Sequence, residues 1–339
     1  MQHSRSQNIH RPGRVTVVIP AYNAADTLDE TLRSVRAQTY RDLEIFVVDD
    51  GSTDRTRDIA ASHVREDDRV QLIVQTNAGV AHARNNGLMQ ATGEFFAPVD
   101  ADDLWKPTKI ERQVELLERS GPGTGLVYTW YASIDEDSRV LGVHKSSEEG
   151  EVLSILYRNN FVGNASTPLM RTQGVIDVGG YDASLRARGG QGCEDLKLYI
   201  QIAETSRFAV VKSALTGYRQ TRAAMSTQAR QMLRSYDLVM EDCLARCPQF
   251  HALVREGRLE VVKYILSRSL RAQRYGASAR LYPHLWRCDP RHAFAVTPKL
   301  LWQAVPPRVR YSIKAKLGRR PPPQFPPFLD DAPFLEEQG

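Results

Sequence analysis

The chain has 339 residues, 42% hydrophobic and 25% charged, with a net charge of +5. These are the proportions of a folded globular protein of about two domains, and they exclude collagen-like, low-complexity and largely disordered classes. Four cysteines (Cys193, Cys243, Cys247, Cys288) give no disulfide framework in so long a chain, which points to a reducing, cytoplasmic setting. Residues 1–14 are polar and basic, without the apolar stretch of a signal peptide. No run reaches the ~18 to 20 apolar residues of a bilayer span, so the protein is expected in the cytoplasm, dissolved or peripheral on a membrane.

The net charge conceals an asymmetry. Residues 1–205 sum to −8, residues 206–320 carry 23 Lys+Arg against 6 Asp+Glu for a net +17, and residues 321–339 hold four acids and no base. Such a basic segment meets phosphates, on a nucleic acid or on an anionic membrane surface. It carries no nucleic-acid-binding motif and no aromatic interleaving, so no nucleic acid is expected.

Residues 14–100 alternate short apolar runs with amphipathic stretches, the pattern of an α/β sheet. Strands are predicted over residues 15–19, 43–48, 70–74 and 94–99. Between the first two, Thr27 and Glu30 have the spacing of a capping box, followed by an apolar face of Leu28, Leu32 and Val35. Thr108 and Glu111 repeat the device after Pro107, before Ile110, Val114 and Leu117. Three predicted strands end in polar residues: Pro20-Ala21-Tyr22-Asn23, Asp49-Asp50-Gly51-Ser52 and Asp100-Ala101-Asp102-Asp103. Ligands of open α/β sheets bind beyond the carboxyl ends of the strands, so these loops should converge and bring five carboxylates to one crevice. A cation or a ligand's donors would have to offset their repulsion.

Further on, residues 125–131 read as a strand and Gly179-Gly180-Tyr181-Asp182 as a turn. Glu194-Asp195 opens a helix with Leu198 and Ile202 on one face, where two carboxylates are favoured as simple capping. From about Met225 the chain turns helical and Arg-rich, and residues 321–327 are Pro-rich. The expected divisions are a disordered start over 1–13, an α/β domain over 14–222, a basic helical region over 223–320 and a disordered tail over 321–339. Cys243, Cys247 and His251 are spaced by four, as are His284 and Cys288, but Pro248 interrupts the first group and neither matches a zinc-finger pattern.

Taken together, Val17-Val18-Ile19-Pro20-Ala21-Tyr22-Asn23, Asp49-Asp50-Gly51-Ser52-Thr53-Asp54, Asn77-Ala78-Gly79 with Ala83-Arg84-Asn85, Asp100-Ala101-Asp102-Asp103, Gly179-Gly180-Tyr181-Asp182 and Glu194-Asp195 resemble, in order and spacing over residues 14–222, the family 2 glycosyltransferases. That resemblance implies a GT-A fold, an α/β domain with a mainly parallel central sheet, here followed by a helical C-terminal region. The implied activity is inverting transfer of a sugar from a nucleotide-sugar donor, UDP-linked in many relatives, to a hydroxyl of a glycan or lipid-linked acceptor, in polysaccharide biosynthesis at the cell envelope. It assigns Asp102 to Mn²⁺ or Mg²⁺, Asp100 to the ribose or the metal, Pro20, Tyr22 and Asp50 to the nucleotide, and Asp195, with Glu194 beside it, to the general base. Hard oxygen ligands suit such a cation, and a diphosphate cannot enter an acidic crevice without one. A carboxylate that takes the acceptor's proton as the bond forms would assist attack.

Arg84 fits nucleotide contact and pairing with the crevice carboxylates equally well. Many relatives carry a Tyr-Arg-x-His element; here Tyr218-Arg219-Gln220-Thr221 has Gln220 near the place of that His, which shifts the burden of charge to Arg219 or Arg222. Two rival readings are a sugar-1-phosphate nucleotidyltransferase, for which the Gly-rich phosphate loop after the first strand is missing, and a non-catalytic nucleotide-sugar-binding scaffold, which the retained Asp100, Asp102 and Asp195 oppose.

Overall fold

The computed structural model describes residues 10–190, 192–220, 229–305 and 327–330. The first half runs β1 (Arg11–Ala21), α1 (Leu28–Arg36), β2 (Leu43–Asp49), α2 (Thr56–Glu66), β3 (Val70–Val74), α3 (Val80–Gln90) and β4 (Gly93–Pro98). Side chains alternate across a strand, so β1 feeds two cores: Val15, Val17 and Ile19 join Ile45, Val47, Phe95 and Ala97 on one face, and Val18 joins Phe46, Val48 and Phe96 on the other. Helix α3 lies close on β1 because Gly87 has no side chain: a Cβ there would stand 2.6 Å from the Val18 methyls.

The chain continues through β5 (Leu104–Trp105), α4 (Lys109–Arg119), β6 (Thr124–Ile134), β7 (Val140–His144), α5 (Leu153–Arg158), β8 (Leu169–Arg171), α6 (Thr172–Asp177), α7 (Ser184–Ala187), α8 (Glu194–Ala203) and β9 (Arg207–Arg219). The nine-stranded sheet has the order β3-β2-β1-β4-β8-β6-β9-β5, with β7 paired to β6. Strands β3, β2, β1 and β4 are parallel, as are β6 and β9, and short β8 is antiparallel to both β4 and β6. The six long-pairing strands therefore share one direction, as a mainly parallel sheet requires. The strand order reverses between β1 and β4, which sets the crevice beyond Ala21, Asp49 and Pro98.

Neither expected capping box forms. The side chains of Thr27 and Thr108 cap nothing. Thr27 donates to the Ala101 carbonyl, Glu30 receives Arg219 and Ser138, and Glu111 receives Thr39. Both helices form where expected; tertiary partners have taken Thr27, Glu30 and Glu111.

The C-terminal helices are α9 (Ala229–Leu244), α10 (His251–Arg271), α11 (Tyr275–Cys288) and α12 (Pro290–Ala304). Tyr236, Val239, Met240 and Cys243 of α9 belong to the same core as β6 and α8, whereas Ile265, Leu266, Leu281, Leu285 and Leu300 form a core of their own. The sheet begins at Arg11, earlier than the expected start at 14. Pro327–Asp330, within the tail expected to be disordered, packs down: Phe328 is fully buried, its amide donates to Ser138, and Lys106 lies over its ring and donates to the Asp330 carbonyl. Among the described residues no helix is long and apolar enough to cross a membrane.

Candidate functional site

Of the five carboxylates expected in the crevice, three are committed to structure. Asp49 is buried, receiving the Ser52 amide at 3.0 Å and Arg57 at 2.9 Å. Asp50 is gripped by Gln75 (2.7 Å) and the amides of Ala78 (2.7 Å) and Gly79 (2.8 Å). That gives the Asn77-Ala78-Gly79 motif its role: Gly79 holds φ +96°, a left-handed backbone that turns two successive amides onto one carboxylate. Three of the four acceptor sites of Asp50 are thus filled, which leaves one for a nucleotide. Asp103 is fully buried, receiving Ser166 at 2.6 Å and the Arg219 amide at 2.9 Å, and burial beside Asp102 and Asp100 pushes its carboxyl well up.

The oxygens of Asp100 and Asp102 are less committed. Asp102 receives no side-chain donor among the described residues. Burial and the neighbouring Asp100 push its carboxyl up to about 6, against the opposing charges of Arg219 and Arg268. A carboxylate held without a donor in a partly buried loop is one that a cation would relieve. No group of three or more His, Cys, Asp or Glu that could hold a metal occurs among the described residues. A cation here would therefore complete its shell with ligand phosphates, as Mg²⁺ does when held by one or two carboxylates. The residues fit a divalent ion on those terms.

Arg84 joins the two halves of the site. It is buried, donates to Asp100 at 2.6 Å and to Glu194 at 2.7 Å, and lies over the Tyr181 ring at 5.2 Å. Asn85 beside it both donates to and accepts from the backbone of Tyr181. Lys197 of α8 pairs with Asp182 and, in α9, with Asp242. The Gly-Gly-Tyr-Asp turn is in this way fastened to α3, α8 and α9. Glu194, spent on Arg84, is not available as a base. Asp195 is: partly exposed, it receives the Leu196 amide at 2.7 Å, and burial followed by the neighbouring Glu194 pushes its carboxyl up to about 7. The preceding Cys193 adopts φ 64°, an uncommon left-handed turn for a non-glycine that sets the entry of α8.

Other expected residues fall differently. Tyr22 is half-exposed at the end of β1, open to a ligand. Pro20 is buried within β1, opposite Val48, so it shapes the sheet beneath the crevice rather than its surface. Arg219 is buried and spends its guanidinium on Glu30 and on the carbonyls of Asp102, Asp135 and Glu136; it clamps the acidic loop instead of offering charge to a ligand. Arg222 lies outside the described residues. Cys193, Cys243, Cys247 and Cys288 are all free, and burial raises the thiols of Cys193 and Cys243. Ser166, unnoticed in the sequence, receives the Asp100 amide, donates to Asp103 and accepts from Trp105 through its carbonyl; a lone serine over sixty residues downstream carries no local signal.

The family description "Glycosyl transferase family 2" matches residues 16–181. This domain belongs to that family. The family 2 domain is 34% identical over 161 residues to the Bacillus subtilis protein TuaG, named for teichuronic acid biosynthesis, covering 47% of this chain and 63% of that one. An uncharacterised glycosyltransferase of Rickettsia typhi is 29% identical over 74% of this chain and 77% of its own length. The chain thus spans just under two thirds of the first of these relatives. Among solved structures, S. aureus TarS 1-349 in complex with UDP-GlcNAc superposes with a TM-score of 0.58 at 17% identity, covering 90% of this chain and 92% of that one. A mannosyltransferase of Pyrobaculum calidifontis, solved with GDP-Man and Mn²⁺, gives 0.53 at 19% identity, over 91% and 88%. The family 2 domain has the GT-A fold of these glycosyltransferases.

Proposed function

We propose that the chain is an inverting glycosyltransferase that moves a sugar from a nucleotide-sugar, UDP-linked, to a hydroxyl of a glycan or lipid-linked acceptor. The observation that carries this reading is the pairing of two carboxyls of opposite role. Among the described residues Asp102 has no side-chain donor, and Asp195, near neutrality, opens α8, the two being linked through Arg84 by way of Asp100 and Glu194.

In a single displacement the acceptor oxygen bonds to the anomeric carbon as the bond from that carbon to the diphosphate breaks. Asp195 takes the acceptor's proton, and the nucleoside diphosphate leaves with the electron pair. A group titrating near the working pH is suited to that transfer. Tyr22 and the remaining acceptor site of Asp50 would meet the nucleotide. Mn²⁺ or Mg²⁺, held by Asp102 with Asp100 beside it, would supply neutralisation of the diphosphate charge. The bound UDP-GlcNAc and Mn²⁺ of the fold's relatives and the teichuronic acid assignment of TuaG support donor, ion and a cell-envelope acceptor in that order. We also read α12 as facing an anionic membrane surface, where a lipid-linked acceptor would lie.

Titration with UDP tests the reading. Mn²⁺-dependent binding is expected in the unmodified protein and its loss in Asp102→Ala, with chelator reproducing that loss. UDP binding of equal strength in Asp102→Ala, or full transfer in excess chelator, would remove the metal from the proposal.

A further inference from the structure

Pro327–Asp330 meets the sheet domain at three places, and each bears on Arg219 or on the loop that Arg219 holds. At the first, the Phe328 amide donates to the Ser138 carbonyl at 2.8 Å and Pro327 pairs with Arg139, so the segment lies along the turn that joins β6 to β7. Asp135 and Glu136 of that turn give their carbonyls to the Arg219 guanidinium at 3.1 and 3.0 Å, and Ser138 donates to Glu30, which takes the same guanidinium. At the second, the fully buried Phe328 ring joins the core of Leu104 in β5 and Ile134 in β6. It lies so close on β9 that a Cβ at Gly217 would stand 2.8 Å from it. At the third, Lys106 lies over the ring at 5.4 Å and donates to the Asp330 carbonyl at 2.6 Å, while its amide donates to Leu215 of β9.

Gly217 stands opposite Leu104 in the β5–β9 pair, next to Asp103 and two residues before Arg219. From there the backbone reaches the acidic loop directly. The Arg219 amide donates to the Asp103 carboxylate at 2.9 Å, and its Nε donates to the Asp102 carbonyl at 2.7 Å. A close-packed interior relaxes only in part when a large side chain is removed, so the atoms lining the space shift with it. The atoms that line this space are those of β5 and β9 on either side of Asp102 and Asp103.

We infer that Phe328, far outside the family 2 match, is a positioning residue for Asp102: seated against Gly217, it fixes the end of β9 from which Arg219 holds the acidic loop. The inference rests on the functional reading above, in which Asp102 meets the divalent ion, and adds to it a part of the chain more than a hundred residues beyond the sheet. Phe328 touches neither ion nor nucleotide. Its effect passes through Gly217 and Arg219 to the backbone of Asp102, and it should therefore be read in how tightly the ion is held.

Phe328→Ala in the full chain removes the ring and leaves the backbone bonds of the segment in place. Calorimetry with UDP over a series of Mn²⁺ concentrations, and with uridine, separates a displaced loop from a general disturbance. The Mn²⁺ concentration that supports half of the UDP binding is expected to rise about threefold or more, short of the ~10- to 100-fold lost with partners that touch a metal's ligands directly. Uridine, which has no phosphate for the ion to meet, is expected to bind as it does to the parent. Gly217→Ala keeps Phe328 and sets a methyl against its ring; it should act in the same direction, and it carries the comparison should Phe328→Ala not fold. A smaller rise, or equal weakening of UDP and uridine, makes Phe328 a packing residue only and leaves the glycosyltransferase reading standing. UDP binding by the unmodified protein that needs no Mn²⁺ overturns the metal reading of Asp102, and the role of Phe328 with it.

Discussion

Glu194 and Asp195 are neighbours with opposite fates, and the difference is Arg84. The guanidinium takes Glu194 and, through Asp100, ties the helix that bears Asp195 to the loop that bears Asp102. Asp195, left beside a carboxylate in a partly buried turn, is held up to about 7. A base must be ionised to act, so kcat/KM should fall tenfold per pH unit below about 7 and level off above it. Asp195→Asn should lose about 10² to 10⁴ in rate with UDP binding intact, checked by transfer assays beside calorimetry. Turnover within tenfold of the parent assigns the proton to another group. Arg84→Met should instead cost stability, since one substitution strips two carboxylates of their partner. Breaking a buried pair in this way costs about 3 to 5 kcal/mol, readable as a lower urea midpoint; an unchanged midpoint would mean that water serves the pair equally well.

Loops and helices show where a sequence speaks for itself and where it does not. The strands were legible because Val and Ile recur in β1, Ile, Phe and Val run on in β2, and both faces of that sheet are covered. The acidic loops were legible because each stands directly after a strand. The capping boxes were misread: Glu30 has its partner, Arg219, 189 positions away, and a local spacing rule cannot anticipate a competitor so distant in the chain. Arg84 with Glu194, 110 positions apart, was undecidable for the same reason. Asp50 was read as a nucleotide contact, and its larger structural duty is to hold Gln75, Ala78 and Gly79. Asp50→Ala should therefore lower the stability of the ligand-free protein by about 1 to 3 kcal/mol or more, the cost of leaving buried donors unsatisfied. Urea unfolding without nucleotide measures it. A carboxylate that only touched a ligand would leave that midpoint where it was.

For the molecule as a whole, the described part of the +17 region contributes residues of α9 to the core of the sheet domain, while α12 leaves apolar side chains exposed. On α12, Phe294, Leu301 and Trp302 are exposed beside Arg291 and Lys299, and Arg308, Arg310, Lys314, Lys316, Arg319 and Arg320 follow in the sequence, outside the described residues. Apolar residues next to clustered positive charge suit an interface with anionic lipid, at about 1 kcal/mol per basic residue near the headgroups. In co-sedimentation, the full chain should pellet with anionic vesicles, stay in solution with neutral ones, and dissociate at high salt. Equal partition to both kinds of vesicle would exclude an electrostatic attachment.

Phe328 governs how such an experiment can be built. Its ring fills the space over Gly217, where a Cβ would stand 2.8 Å away, immediately before Tyr218 and Arg219. The chain beyond α12 thus comes back to act as a wedge behind the acidic loop. Deleting the basic segment by cutting the chain would withdraw the wedge too, and a loss of transfer could then be mistaken for a loss of membrane attachment. Exchanging the lysines and arginines of residues 308–320 for glutamine, with Phe328 left seated, keeps the two effects apart.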